Sequence, residues 1–172
     1  MNSDVQNETG AAPAAITVPA PAAGALGGLL AGGLVSLCYL ALERASGQPS
    51  ELIRLGRNTA TALGSPYRHQ DSLPAPDEQI RYQSIHLVLS SLMGAGYAFL
   101  RRTPPFRGAV GGALYGASYY AAFWGVVGPR FGLMPSPRRD TAGGIGLKLG
   151  LLSGFGLVAA AICNRLAPGE DA

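Results

Sequence analysis

The chain has 172 residues, the ordinary length of a single domain. Charged residues make up 13% of it, about half of the share in soluble domains, while 48% are apolar. The net charge of +3 is small, and the basic residues lie in short clusters between apolar stretches, which argues against a nucleic-acid-binding surface. The 25 glycines follow no three-residue period, so a collagen-like chain is excluded. Long uncharged stretches rich in glycine instead favour transmembrane helices.

The first residues are predicted to form a disordered tail. Residues 1–22 are polar at first, then rich in Ala and Pro, and contain no Lys or Arg. Such a segment offers little apolar surface to bury on folding. A secretory signal peptide carries basic residues ahead of its apolar run, whereas Asp4 and Glu8 stand there, so we expect no cleaved signal. Residues 23–166 are predicted to form one transmembrane domain, and residues 167–172 a short tail.

Four apolar stretches are long enough to cross a bilayer. A spanning helix needs roughly 20 apolar residues to traverse about 30 Å of hydrocarbon. The stretches lie at about 23–42, 82–100, 108–129 and 141–164, and none contains Asp or Glu. Lys148 in the last stretch is their single Lys or Arg. The sequence therefore predicts an all-α membrane protein, a compact bundle of four transmembrane helices.

The predicted spans are joined by two short connections and one long loop. Residues 101–107 and 130–140 are short and contain prolines, so the helices that each joins are expected to be antiparallel neighbours. The long loop covers residues 43–81. Within it Ser50 can cap a short helix over about 51–63, whose leucines share one face. That helix either lies at the membrane surface or is an ordinary capped loop helix.

The orientation follows from the arginines of the connections. The long loop and the connection before the last span carry eight arginines, against four in the segments on the opposite side. Basic residues are retained on the cytoplasmic side of a membrane. The count predicts both termini outside and the long loop in the cytoplasm.

Small residues recur at four-residue spacing in each predicted span. Lipid tails are as apolar as leucine, so helices in a bilayer associate by close packing and hydrogen bonding, which small residues permit. The residues predicted to mediate helix packing are Gly28, Gly32, Gly94, Gly112, Gly116, Gly146, Gly150 and Gly154. They can join helices of one chain or separate protomers, so the expected partners are the lipid bilayer and either a second copy or a larger membrane complex.

His86 is the leading polar residue inside a predicted span. Gln83, His86 and Ser90 are spaced by three and four residues, which places them on one helix face, directed into the bundle. Ionisable groups within a membrane are costly and mark candidate functional sites. The imidazole can handle protons near neutral pH, or it can be a structural histidine that ties two helices together.

Lys148 has two possible settings. It lies two residues from Gly146 and from Gly150, hence opposite that glycine row on a helix. If the glycines pack inward, the lysine faces outward and extends to the headgroups. Alternatively it joins a polar intramembrane cluster in one membrane half. The members of that cluster would be Glu43, Gln83, His86, Ser90 and Lys148, which together could bind an anion or an acidic headgroup, or relay protons.

From the second span onward the chain resembles the YagU-like family of bacterial inner-membrane proteins, a domain of unknown function. The resemblance rests on the segments at 86–90, 94–97 and 132–137, with the Gly-rich third span between the last two, and it covers about residues 80–160. It implies a multi-pass protein of the bacterial inner membrane and an association with acid tolerance. Family members tend to carry a histidine in the last span, where this chain has Lys148.

These features favour a structural or accessory membrane component over the alternatives. The second hypothesis is a small transporter or proton-handling channel that uses His86 and Lys148. An enzyme is not expected, because the spans contain no paired carboxylates, no Ser/His/Asp constellation and no set of metal ligands. No cofactor and no metal are expected.

Overall fold

The structure is a computed structural model that describes residues 18–65 and 71–168. Every regular element in these residues is helical, which confirms the all-α class. The elements are α1 (Ala20–Ser46), α2 (Glu51–Ala62), α3 (Pro76–Leu100), α4 (Gly108–Ala122), a π-helical turn (Phe123–Val127), the single turn α5 (Gly128–Arg130), a 3₁₀ turn (Pro137–Arg139) and α6 (Ala142–Leu166).

Helix boundaries differ from prediction at both ends: α1 extends to Ser46 and α4 ends at Ala122, while α1 and α3 begin earlier than predicted. Pro21 is among the first residues of α1 and Pro76 is the first residue of α3, positions where a missing backbone N–H costs nothing. Thus α1 begins inside the predicted tail, whose residues 1–17 lie outside the described residues. α3 begins inside the predicted long loop, about two turns before the apolar stretch. α1 ends at Gly47, whose φ of 65° is the left-handed conformation typical of a helix end.

The long helices form a bundle in which α1 and α6 are central. α3 packs on α1, α4 packs on α6, and α1 and α6 pack on each other. α3 and α4 follow one another through a tight turn, yet each packs its backbone on a central helix. They meet instead through side chains, such as the rings of Tyr97 and Tyr115, whose centroids are 5.5 Å apart. The two helices were predicted to be antiparallel neighbours. The structure has a gap between them over part of their length, which the sequence did not predict.

Backbone contact at glycine joins α1 to α3. A Cβ atom added at Gly94 would overlap the carbonyl oxygen of Gly24 and lie 2.6 Å from the Cα atom of Gly28. One at Gly32 would meet the side chain of Ser90. Beside this contact the Ser91 hydroxyl donates a hydrogen bond of 3.1 Å to the Ala25 carbonyl. Close approach and interhelical hydrogen bonding thus occur together.

A second glycine contact joins α4 to α6. A Cβ atom at Gly112 would meet Gly156 and Ala160, and one at Gly116 would overlap the carbonyl group of Leu152. The predicted packing residues of α1, α3 and α4 therefore all lie in helix contacts.

The predicted glycine row of α6 lies in no helix contact of the described chain. A Cβ atom at Gly146, Gly150 or Gly154 would meet open space within the described part of the chain, and all three glycines are exposed. α6 has other rows of small residues, and it turns the one with Gly156 and Ala160 inward. The expectation that the earlier row packs within this bundle is wrong.

Two of these helices meet the requirement for crossing a membrane by length and composition. They are α1 and α6, each with a mean hydropathy of 1.9 in its most apolar window. Among the described helices, α3 and α4 fall short for separate reasons. α3 has Gln83, His86 and several serines within its apolar stretch, which lower its mean hydropathy, and α4 is only 15 residues long before the π-helical turn.

Candidate functional site

A cavity of about 330 Å³ lies in the gap between α3 and α4. Its walls come from six elements, because the π-helical turn continues the α4 side, α1 and α6 lie behind the gap, and α2 covers one end. α3 contributes the longest series of lining residues, from Tyr82 to Met93. Towards the other end the Tyr115 hydroxyl donates a hydrogen bond of 2.9 Å to the Met93 carbonyl, which links α4 to α3 directly. The cavity is thus bounded by α2 at one end and by this link at the other.

Most of the cavity surface is apolar. α1 contributes Val35, α2 contributes Leu52 and Leu55, and α6 contributes Leu151 and Phe155. None of the described lining residues is Asp, Glu, Lys or Arg. Such a surface suits an uncharged molecule, because an ion moved here from water would lose its hydration without gaining a counter-ion.

An aromatic wall forms the α4 side of the cavity. The rings of Tyr119 and Phe123 stack with centroids 5.6 Å apart, and Trp124 lies edge-on to Phe123 at 5.1 Å. The π-helical turn begins at Phe123 and places two consecutive aromatic side chains on the cavity. π-Helical turns within α-helices are frequent at functional sites, since they change the direction of side chains.

Two hydrogen-bonding atoms of the wall lack a partner among the described residues. The His86 Nε2 atom and the Trp124 Nε1 atom are both buried without one. The His86 ring lies beside the Gly32 carbonyl, so its other nitrogen faces α1. A buried polar atom without a partner costs about 1–3 kcal/mol, which a bound group could recover.

α2 is held over the cavity by a buried ion pair. The Arg57 guanidinium donates to both carboxylate oxygens of Glu78, at 2.9 and 3.0 Å, and also to the Ser72 carbonyl at 2.7 Å. The Arg57 side chain is fully buried. The Asn58 amide donates to the Leu133 carbonyl at 2.8 Å. α2 is therefore packed on the end of the bundle, and Leu63, predicted on its apolar face, lies beyond its end and is exposed.

Lys148 follows neither of its predicted settings. Its side chain is only 9% exposed, and its ammonium lies 2.7 Å from the Asp140 carboxylate and 3.4 Å from that of Glu51. The hydrogen bond from Lys148 holds the pKa of Asp140 below its ordinary value of 3.8. The lysine thus does not extend outward, and its described ion pairs do not include Glu43. It joins α6, the segment before α6 and the first residue of α2.

The other members of the predicted polar cluster are also separated. His86 and Ser90 both line the cavity, whereas Glu43 and Gln83 do not. Glu43 is buried at the end of α1, where its carboxylate accepts a hydrogen bond of 3.4 Å from the Ser50 backbone. The Gln83 side-chain oxygen is buried without a hydrogen-bond partner among the described residues. The structure therefore brings together two of the five predicted residues.

Several residues of this region were missed in the sequence. Asp140 and Glu51 stand in predicted connections, and carboxylates in connections are ordinary. Trp124 stands in the third predicted span, where an aromatic residue is ordinary. One feature of the sequence could have identified Asp140. A lysine within an apolar stretch is expected to pair with an acid, and Asp140, eight residues earlier, is the nearest acid in the sequence. No three residues of the His, Cys, Asp and Glu types form a metal-binding group in the described part of the chain.

Comparisons with protein-family models, curated proteins and solved structures find no match to this chain.

Proposed function

We propose that the chain is a four-span protein of the bacterial inner membrane that acts as a structural or accessory component. The observation that carries the proposal is the apolar outer surface of every long helix. Exposed fractions reach 53% at Leu34 of α1, 64% at Leu92 of α3, 74% at Val110 of α4 and 47% at Leu147 of α6. Apolar surface of this extent is unfavourable in water and is matched by lipid.

The two less apolar helices are compatible with four spans. The charged residues of α3 lie in its first turns, where Glu78 is paired with Arg57, so the remainder from Tyr82 to Leu100 carries no charged residue and can face lipid. α4 continues through the π-helical turn and α5 to Arg130 without leaving a helical path. Its whole length then suffices to cross the hydrocarbon.

An accessory role is favoured over transport by the same geometry. The described part of the long helices has no carboxylate in its apolar middle, and Lys148 is neutralised by two acids at one end of the bundle. Beyond the cavity the bundle is filled by the buried side chains of Tyr97, Ala98 and Ala160. A proton path through the bundle would need a continuous series of polar groups there.

Labelling of single cysteines tests the four spans. In a variant with Cys38 and Cys163 replaced by Ala, cysteine is introduced at Ser72, Thr103 or Arg139, all exposed in connections. Four spans place Thr103 on the side opposite to the other two positions. Two spans, formed by α1 and α6 alone, place all three positions on the same side, and a membrane-impermeant thiol reagent distinguishes these patterns.

Reconstituted vesicles test the accessory role against proton handling. After a pH step outside the vesicles, the signal of a pH-sensitive dye trapped inside is expected to change no faster with the purified protein than in vesicles without protein. Proton flux that His86→Ala and His86→Gln both abolish would establish the channel instead. A stoichiometric partner that purifies with the protein in mild detergent would support the accessory role.

A further inference from the structure

The cavity between α3 and α4 opens sideways on the bundle. Ile85 and Leu89 both line it, and both are also exposed on the outer surface, by 49% and 52%. Since α3 packs on α1 and α4 packs on α6, these two helices do not pack extensively on each other in the described chain, and the gap between them stays open at this level. If the bundle lies in a bilayer as proposed above, the opening faces the lipid phase, and a molecule dissolved there can enter without crossing water.

The residues that line the cavity determine which kind of molecule it can bind. The cavity has no charged side chain among the described lining residues, so it does not suit a phosphate or a carboxylate. The nearby cations are committed elsewhere, because Arg57 is bound to Glu78 and Lys148 to Asp140. What the wall offers is a stacked aromatic surface, with the His86 and Trp124 nitrogens on an otherwise apolar lining.

We propose that this cavity binds one neutral, ring-containing, lipid-soluble molecule that carries a carbonyl group. The ring lies against Tyr119 and Phe123, as aromatic faces favour offset or edge contacts with other rings. The carbonyl oxygen accepts a hydrogen bond from the indole Nε1–H of Trp124. His86 Nε2 does not donate this bond, because the ring donates its other N–H to the Gly32 carbonyl, which leaves Nε2 as an acceptor. A volume of about 330 Å³ falls at the lower end of the range of small-molecule sites, so the site holds one ring system rather than a whole lipid.

Trp124 makes the site directly observable, because it is the one tryptophan of the chain and lines the cavity. The probe is prodan, a neutral naphthyl ketone whose emission depends on hydrogen bonding at its carbonyl and whose absorption overlaps the emission of tryptophan. The full chain is purified into lipid nanodiscs and titrated with prodan. Saturable energy transfer from Trp124 is expected, above the linear background of empty nanodiscs.

Two variants test the site from different directions. Trp124→Phe removes the hydrogen-bond donor and is expected to weaken binding by about fivefold, the effect of one hydrogen bond, as measured by the saturable shift of the emission of prodan itself. Leu55→Phe adds a ring at the end covered by α2 and is expected to abolish saturable transfer. The matched control is Leu37→Phe, an equal change at a side chain that is 63% exposed and outside the cavity. Circular dichroism and thermal unfolding establish that each variant is folded.

The outcomes are separable. Binding that rises linearly, or that is equal in the parent, Leu55→Phe and Trp124→Phe, would mean partition into lipid alone and would overturn the site. The measurement does not depend on how many helices cross the membrane. Its failure is therefore distinguishable from failure of the four-span proposal, which the labelling at Thr103 decides.

Discussion

The ammonium of Lys148 donates a hydrogen bond of 2.7 Å to the carboxylate of Asp140, eight residues earlier in the chain. Asp140 also accepts a hydrogen bond from the backbone of Thr141 at the start of α6. Lys148 is the one charged residue within the predicted spans, and it was a candidate functional residue for that reason. It is bound instead by Asp140, which lies just before its own helix. Glu51 lies 3.4 Å from the same ammonium and adds α2 to the group.

Asp140→Asn should lower the stability of the protein at neutral pH but not in acid. Because the pKa of Asp140 is depressed in the folded protein, the pair contributes stability above the ordinary pKa of 3.8 and loses it as the pH falls through the lowered value. Asparagine can retain the bond to the Thr141 backbone. The expected loss is about 1 kcal/mol, or roughly 2–4 °C in Tm.

Thermal unfolding of the parent and the variant from neutral pH to about pH 3 measures this difference. The matched control is Asp71→Asn, whose carboxylate is 85% exposed and lies 3.7 Å from Arg54. It should change Tm little at any pH. A difference between parent and Asp140→Asn that persists below the pKa would show that the ion pair is not its cause.

Removing one partner of the Arg57–Glu78 pair should destabilise the protein strongly. Arg57→Met removes the guanidinium that binds both oxygens of the nearly fully buried Glu78 carboxylate, and loss of one partner of a buried pair costs about 3–5 kcal/mol. The double variant Arg57→Met, Glu78→Leu removes both charges and should recover much of that loss. Chemical unfolding in detergent gives the three free energies of unfolding.

Arg54→Met is the control for Arg57→Met, because it stands on the same helix and its pair with Asp71 is exposed. Its expected effect is below about 1 kcal/mol. Equal effects of the two arginine variants would contradict the buried pair as the attachment of α2.

Gly94→Ala should destabilise the bundle, whereas Gly150→Ala should not. The new methyl group at Gly94 would overlap the backbone of α1, which cannot move aside as a flexible side chain can. Overpacking of this kind costs about 1–3 kcal/mol. At Gly150 the same methyl group meets open space within the described chain. Thermal unfolding of both variants, with sedimentation to determine the oligomeric state, separates packing within the chain from packing between copies.

The fold was predictable from the sequence to the extent that apolar length and glycine spacing determine it. The rows of small residues around Gly28, Gly94 and Gly112 identified real helix contacts, because close approach requires small side chains on both helices. The row at Gly146 misled for the same reason: α6 has several such rows, and spacing alone does not tell which one faces inward. The ion pair between Lys148 and Asp140 favours the observed orientation of α6 about its own axis. Asp140 lies in the connection before α6, and the sequence pattern of α6 does not show how that connection folds.

The site was less predictable than the fold. His86 and Ser90 were identified because they share one face of one helix. The cavity that they line depends on α3 and α4 packing on different partners, and on α2 covering the gap. These are relationships between elements distant in sequence, and periodicity within a single helix contains no information about them.

The orientation of the bundle gives a last prediction. The connections before α3 and before α6 carry more arginines than those at the opposite end, so the positive-inside rule places Ser72 and Arg139 in the cytoplasm and Thr103 in the periplasm. In intact cells an impermeant thiol reagent should label cysteine at Thr103 and leave cysteine at Ser72 unlabelled until the cells are opened. Arg101 must remain in both variants, since it is buried and bound to Asn164 and to the Ala167 carbonyl. Labelling of Ser72 in intact cells would reverse the orientation, and the α2 end of the cavity would then lie towards the periplasm.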